Sequence, residues 1–341
     1  MFTCIPGRTA RAARSTRRNG SSIWTQRRAA AATSRCWIHF GIPQEKKARL
    51  ILNTDAKNEV DDQFAIVHAL LSEAIELRGI IAAHFGQRRT PYSEQESYDE
   101  ILHLIELMRI RPEAPVVHGG GHALPDARTP VDSAGARLII EEAMKDAPRP
   151  LHLAFLGPLT DMASALLMAS ETQRRSIRVI WIGGRNWPCG GWEYNLSNDI
   201  ATANLVFQSG VELWQIPRDV YRTMPVSFAE LYTRVRPHGE IGRYLCDNVI
   251  RFNSGAPNRP TGYRILGDSP AVGVVLYEDC GAYDWLPALE LDEQMRYVHM
   301  GKTARSVYTG ASTTGSFWRN FSRCFSCFTR ADWQSRDKPP V

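Results

Sequence analysis

Four acidic side chains, Asp55, Glu59, Asp61 and Asp62, fall within eight positions, immediately after the apolar run RLILNT at 49–54. Further polar groups follow later apolar runs. LGPLTD at 156–161 exposes the Leu156 carbonyl at a strand-to-helix turn. GGRNWPCGGWEYN at 183–195 supplies Asn186, Trp187, Trp192, Glu193 and Asn195, and GDSPAV at 267–272 places Asp268 just before a helix. Three carboxylates and a backbone carbonyl converging on one rim would form a cage of hard oxygen donors, with waters or substrate hydroxyls completing the six to eight positions that Ca²⁺ prefers. The same acids have a plainer reading. Asp61 and Asp62 suit the N-cap and first turn of the helix that follows, and Asp268 suits a cap before SPAV. An EF-hand is excluded, because Lys57 and Val60 stand where a calcium loop needs a ligand and its turn glycine. IGGRNWPCGG lacks both the Lys-Ser/Thr ending of a phosphate loop and the G-x-G-x-x-G spacing of a dinucleotide site.

The elements that must position these groups alternate. RLILNT is a strand, followed by a helix from about 62 to 72 with Phe64, Val67, Leu70 and Leu71 at helical spacing. ELRGIIAAHF is a second strand, and a helix opens at SEQE with Ser93 and Glu96 as a capping box. APVVHG, LHLAFLG, IRVIWIGG and VELWQIP are four more strands. Helices are expected over 133–145, from Pro158, and over 198–209 up to Gly210. The strands are almost continuously apolar, as buried parallel strands are. The rhythm predicts an α/β fold, a doubly wound and mainly parallel sheet flanked by helices, with functional groups at the carboxyl ends of the strands. Helical segments follow beyond Val220, and MRYVHM at 295–300 reads as a last strand.

The chain of 341 residues carries a net charge of +5, unevenly distributed. Positions 1–50 hold eleven Lys/Arg against one acid and 301–341 hold seven against two, which leaves the 250 residues between them ten negative. An acidic body is a poor partner for phosphate backbones, so nucleic acid is discounted. No run of about 18 apolar residues suggests a membrane span. Residues 1–45 read as a basic, disordered leader, or as a mitochondrial-type transit peptide rich in Arg, Ala and Ser. That leaves a cytoplasmic or mitochondrial location open. Residues 46–305 form the domain and 306–341 a basic, disordered tail. Seven scattered cysteines make no disulfide framework, and the CFSC pair at Cys324 and Cys327 has no metal-binding partner motif.

Four stretches, in order over residues 49 to about 300, resemble the inosine-uridine preferring nucleoside hydrolase family. NTDAKNEVDDQFAI is similar to its D-x-D-P-G-x-D-D opening and LAFLGPLTDMASAL to its G-P-L-T-N helix start. GGWEYNLSNDIATANLVFQSG is similar to its E-F-N-x-x-x-D-x-x-A-A block and LGDSPAVGVVL to its H-D-P-x-A segment. The resemblance implies a Ca²⁺-dependent N-ribohydrolase for a small-molecule ribonucleoside, and leaves open a homo-oligomer, a hydrolase of another glycosyl substrate, or a silent sugar-binding homologue. It implies that Asp55, Asp62, Asp268 and the Leu156 carbonyl ligate the metal. Asp55 would also take the proton of the attacking water, Asp61 would hold a ribose hydroxyl, and Glu193 and Asn195, with Asn186, would grip the sugar from the other side. Three departures stand out. Asn53 replaces the pattern's first Asp. AKNEV carries two extra residues, so the loop must bulge and Glu59 can approach the site. Gly267 replaces the His expected to protonate the leaving base. His84, His118 and His122, near the ends of the second and third strands, are the candidate substitutes, and Trp187 and Trp192 are candidates to stack on the base.

Overall fold

The structure, a computed structural model, describes residues 41–277, 281–288, 290–298 and 305–310. The leader to residue 40, the tail from 311 and the CFSC pair lie outside the described residues. Six parallel strands form the centre: β1 (Ala48–Thr54), β2 (Ile75–Ala82), β3 (Val116–His118), β4 (Leu151–Phe155), β5 (Ile177–Ile182) and β6 (Glu212–Ile216). Helices α1 (Asp62–Leu71), α2 (Ser93–Met108), α3 (Ala134–Met144), α4 (Thr160–Met168), α5 (Tyr194–Asn198) and α6 (Ile200–Gln208) connect them. Then come α7 (Arg218–Tyr221), β7 (Pro225–Ser227), α8 (Phe228–Arg234), α9 (Gly239–Ser254), β8 (Tyr263–Ile265) and α10 (Ser269–Leu276), followed by β9 (Ala282–Pro287), β10 (Glu290–Leu291), β11 (Tyr297–Val298) and β12 (Arg305–Gly310).

The main sheet runs β3-β2-β1-β4-β5-β6-β12-β9, with β12 parallel to β6 and β9 antiparallel at the edge. It is the doubly wound sheet expected, and it continues through 310, past the boundary placed at 305. The connections from β1 run to one side and those from β4 to the other, so the switch in strand order lies between β1 and β4, where such sheets bind their ligands. Alternation along each strand feeds two cores. Leu50, Leu52, Ala154, Ile180 and Ile182 pack with α1, α2, α9 and α10, whereas Ile51, Leu153, Phe155, Val179 and Trp181 pack with α3, α4 and α6.

Two local expectations change. The capping box at Ser93 and Glu96 does not form: Tyr92 is the N-cap, and the buried Ser93 hydroxyl accepts from Phe85 N at 3.3 Å instead. A reciprocal box occurs at Ser227 and Glu230, opening α8. Pro158 does not enter α4, which starts at Thr160, because 156–159 form the turn that follows β4. Among the described residues no helix is long and apolar enough to cross a membrane. The described free cysteines are the exposed Cys189 and the buried Cys246.

The amino-terminal edge of the sheet is tied by charge. Glu142 on α3 accepts from Arg49 Nη2 at 3.2 Å, Arg78 Nε at 2.9 Å and Lys145 Nζ at 2.5 Å, and Glu142 and Arg49 are both buried. Removing the carboxylate strands the buried Arg49 guanidinium without its ion-pair partner, while Arg78 and Lys145 keep access to water. Glu142→Ala is expected to cost about 3 kcal/mol of unfolding free energy in urea titration, with divalent-cation binding at the opposite edge unchanged.

Candidate functional site

At the carboxyl ends of β1 and β4, a cavity of about 330 Å³ gathers side chains from five separate stretches of chain. The β1–α1 loop brings Asp55, Asn58, Glu59, Asp61 and Asp62. The β4–α4 turn brings Leu156, and the segment after β5 brings Trp192, Glu193, Tyr194 and Asn195. Arg218, Tyr221 and Arg222 come from α7 and its end, and Arg264, Gly267 and Asp268 from around β8. Thus Asp55, Asp61, Asp62, Leu156, Glu193, Asn195 and Asp268, separated by up to 213 positions in sequence, share one cavity.

The acids do not serve as helix caps. Asp61 and Asp268 occupy the N-cap positions of α1 and α10, yet neither side chain makes a capping hydrogen bond. Asp61 instead accepts from Gly267 N at 2.9 Å and from Arg264 Nη2 at 3.3 Å. Asp62 accepts from Thr54 Oγ1 at 2.6 Å and lies within hydrogen-bonding reach of Asp268. One oxygen or more from each of Asp61, Asp62 and Asp268 falls within 4.8 Å of the others, with all three residues buried. Asp55 is 1% exposed, and its Oδ2 has no hydrogen-bond partner among the described residues.

This crowding raises the proton affinity of the group. Burial, then the charge of Asp62, lifts the Asp55 carboxyl well above the usual carboxylate range. Burial, then Asp61, lifts Asp62 to about 7. Burial, then Asp62 and Asp61, lifts Asp268 well above the ordinary value. A set of buried carboxylates that repel one another must hold either protons or a cation. An all-oxygen donor set with an orphaned Asp55 oxygen, and with Leu156 lining the same cavity, fits a hard divalent ion.

The supports of the site are also fixed. Leu156 N donates to Asn53 O at 2.8 Å, and Trp181 Nε1 donates to Gly157 O at 3.0 Å, so the turn after β4 is held from both sides. Asn195 Nδ2 donates to Leu156 O at 2.6 Å and to Ile182 O at 2.9 Å. Glu193 caps α5: its Oε2 accepts from Gly184 N and Leu196 N, and its Oε1 from Tyr221 Oη at 2.9 Å. The three donors oppose the upward push that burial exerts on the Glu193 carboxyl.

Each departure in the sequence has a structural counterpart. Asn53 Nδ2 donates to Asp161 Oδ2 at 2.8 Å, and Asp161 stands where the resembled pattern has Asn. The amide and the carboxylate have therefore exchanged places, and the charge lies one residue further from the cavity rather than being lost. The AKNEV loop is tied down by Lys57 to Glu100 at 2.5 Å and by Asn58 to Arg89, while Glu59, which lines the cavity, pairs with Arg264. At Gly267 a Cβ would lie 3.0 Å from the Tyr221 ring and 3.2 Å from Asp61 Oδ2, so the tyrosine occupies the space of a side chain at 267.

Five candidate residues stand outside the cavity. His84 is buried with both ring nitrogens engaged, Nδ1 accepting from Gly86 N at 3.1 Å and Nε2 facing Thr160 Oγ1 at 2.9 Å. Burial, then His122, lowers its pKa to about 4, which keeps it neutral. His118 is exposed, stacked on Tyr98 at 3.9 Å and bonded to Glu94 at 2.9 Å, because β3 ends at the sheet's edge. His122 lies with His84 in a separate depression. Asn186 sits on the loop after β5, its N–H donating to Asp219 at 3.4 Å, and Trp187 is likewise outside. Tyr194, Arg218, Tyr221, Arg222 and Arg264 line the cavity without having been singled out. The strand-end rule would have found PRDVYRT after β6, but Arg264 carries no local signal.

Comparisons with known proteins bear on the family and the fold. The model of the family described as inosine-uridine preferring nucleoside hydrolase matches residues 50–319. A pyrimidine-specific ribonucleoside hydrolase RihA from Salmonella enteritidis is 26% identical over 196 residues, covering 50% of this chain and 61% of the relative. The chain thus spans less than two thirds of the length of that curated relative. Among solved structures, a purine-preferring ribonucleoside hydrolase from Gardnerella vaginalis superposes with a TM-score of 0.67 at 21% identity, covering 83% of this chain and all of that one. A plant nucleoside hydrolase superposes with a TM-score of 0.66 at 17% identity, with 83% and 99% covered. At these identities the superpositions establish the fold.

The raised carboxyl pKa values set a pH dependence. With Asp62 at about 7 against 3.8 for an ordinary Asp, the native state holds the extra proton between those values, so metal-free stability falls as pH rises through that window. In chelator, the melting temperature is expected to drop by roughly 5 °C between about pH 5.5 and pH 8. A saturating divalent cation should restore it more at the higher pH, as thermal-shift scans would show.

Proposed function

The chain belongs to the inosine-uridine preferring nucleoside hydrolase family, and from that premise we propose that it is a Ca²⁺-dependent N-ribohydrolase, converting a ribonucleoside and water to ribose and free base in nucleoside salvage. The observation that carries this reading is the buried trio of Asp61, Asp62 and Asp268 at the β1/β4 switch point, with Asp55 and Leu156 lining the same cavity.

On this reading Asp55, Asp62, Asp268 and the Leu156 carbonyl hold the ion, and Asp55 Oδ2, which has no protein donor, accepts the proton of the attacking water. Calcium supplies charge that makes water a better nucleophile near neutral pH and a clamp for vicinal hydroxyls. Asp61 is positioned by Gly267 N and Arg264 to meet a ribose hydroxyl. Asn195 fixes the Leu156 carbonyl, and Glu193 and Tyr221 close the other side of the sugar. As the glycosidic bond breaks, the sugar becomes an oxocarbenium-like cation, and fixed carboxylates around the ring stabilise that charge. Water arriving opposite the departing base inverts the anomeric carbon.

A second reading, a sugar-binding homologue without turnover, is favoured by one observation: no histidine lines the cavity among the described residues. Reducing-sugar release from a panel of ribonucleosides, with and without chelator, separates the two. The hydrolase reading expects chelator-sensitive release. Asp55→Asn should lower kcat/KM by about 10³-fold while leaving the fold intact by circular dichroism, and Asp62→Ala should abolish calcium binding measured by calorimetry. Binding of ribose without release from any glycoside would establish the silent homologue, and release from other glycosides alone would redirect the substrate.

A further inference from the structure

Every carboxylate in the cavity has an assigned partner. Asp55, Asp62 and Asp268 face the ion on the reading above. Asp61 and Glu59 both pair with Arg264, and Glu193 takes Gly184 N, Leu196 N and Tyr221 Oη. Two cationic side chains of the same lining have no such partner. Arg218 and Arg222 line the same cavity, and neither guanidinium forms an ion pair or hydrogen bond among the described residues. The one acid between them in sequence, Asp219, pairs with Arg185 instead. A third donor is also unmatched: the buried Nε–H of Arg264 has no acceptor among the described residues.

The two free guanidinium groups act from one face. Arg222 N donates to Arg218 O at 3.1 Å, so the residues lie one helical turn apart at i and i+4, where side chains are neighbours. Like charges so placed repel each other unless an anion comes between them. Arg is the side chain whose planar fork matches carboxylate and phosphate oxygens. A neutral nucleoside offers these groups nothing that water does not.

We propose that the substrate of this cavity is an N-riboside bearing an anionic group, a phosphate ester or a carboxylate, seated on Arg218 and Arg222. This rests on the reading of the cavity as an N-ribohydrolase site and narrows its substrate class. The chemistry is unchanged. Water adds its oxygen to the anomeric carbon, the bond to the base nitrogen breaks, and the proton ends on the base, while the anionic group stays on whichever fragment carries it. The phosphate ester would mark the sugar end of the cavity and the carboxylate the base end.

The test compares uridine, uridine 5′-monophosphate and orotidine on the calcium-loaded full chain, by calorimetric binding and by reducing-sugar release. At least one anionic ligand is expected to bind at least tenfold more tightly than uridine, and to lose that preference as salt is raised. The double substitution Arg218→Ala/Arg222→Ala should lower the anionic-to-neutral ratio at least tenfold, and Arg218→Lys/Arg222→Lys should keep part of it, with circular dichroism confirming the fold of each variant. Uridine bound and cleaved as well as both anionic ligands, with a ratio unmoved by the double substitution, would overturn the anionic substrate and leave the hydrolase standing. An anionic ligand bound through the arginines but never cleaved would uphold the anion site and overturn the hydrolase. No binding of any of the three by the folded, calcium-loaded chain would overturn both.

Discussion

Mutual repulsion among buried carboxylates is the constraint around which the molecule is arranged. Asp55, Asp61, Asp62 and Asp268 are each less than a tenth exposed, and neighbouring acids raise the proton affinity of Asp55, Asp62 and Asp268 on top of what burial does. A fold gains nothing in stability from such a cluster, because each ion removed from water costs several kcal/mol that its like-charged neighbours cannot offset. The cluster is maintained by rigid surroundings. Asp55 and Asp62 flank the loop after the central strand β1, the Leu156 turn is held by Trp181 and Asn53, and Asp268 begins an apolar helix packed on α1. The two cores on the faces of the sheet supply the stability that the carboxylates do not.

The frame was legible because it is repeated. Six apolar runs alternate with helical spacing, and the strand-end rule then collects Asp55, Asp62, Leu156 and Glu193 among other polar groups, while Asp268 stands just before a helix and the family resemblance is what joins them into one site. What one-dimensional reading could not resolve was whether Asp61 and Asp268 cap helices or line a cavity. Both occupy cap positions, so position alone is silent, and the deciding contacts come from Arg264 and Gly267, about 200 residues beyond Asp61. The histidines were misplaced for a related reason. Being near a strand end is necessary for reaching the cavity and not sufficient, since β3 lies at the edge of the sheet, two strands from the switch point, and His84 turns into the α4 side to meet Thr160.

Two apparent losses in the sequence are exchanges in three dimensions. The charge missing at Asn53 is present at Asp161, hydrogen-bonded across β1 and α4, so the pair keeps one amide and one carboxylate. The side chain missing at Gly267 is replaced in space by the ring of Tyr221, whose hydroxyl donates to Glu193. Neither exchange can be inferred from one position, because each requires knowing which distant residue occupies the vacated volume. The extra residues of AKNEV belong with them: their longer loop lets Glu59 share Arg264 with Asp61, which occupies that arginine and leaves the α7 pair as the arginines of the cavity without an ion-pair partner among the described residues.

The tyrosine constrains how the proposed reaction divides its labour. A phenol whose proton is held by a buried carboxylate, and whose pKa burial and that carboxylate push far above the ordinary value, donates a hydrogen bond but does not give up a proton. Tyr221 therefore orients Glu193 and walls the cavity without serving as the acid that a histidine at 267 would be. With no histidine lining the cavity among the described residues, the barrier must be lowered from the sugar side, by carboxylates that stabilise the cation as it forms and by a base oxygen on Asp55 that no described protein donor competes for. Such a site discriminates through the ribosyl half and through any charge its substrate presents to Arg218 and Arg222, more than through the proton affinity of the base.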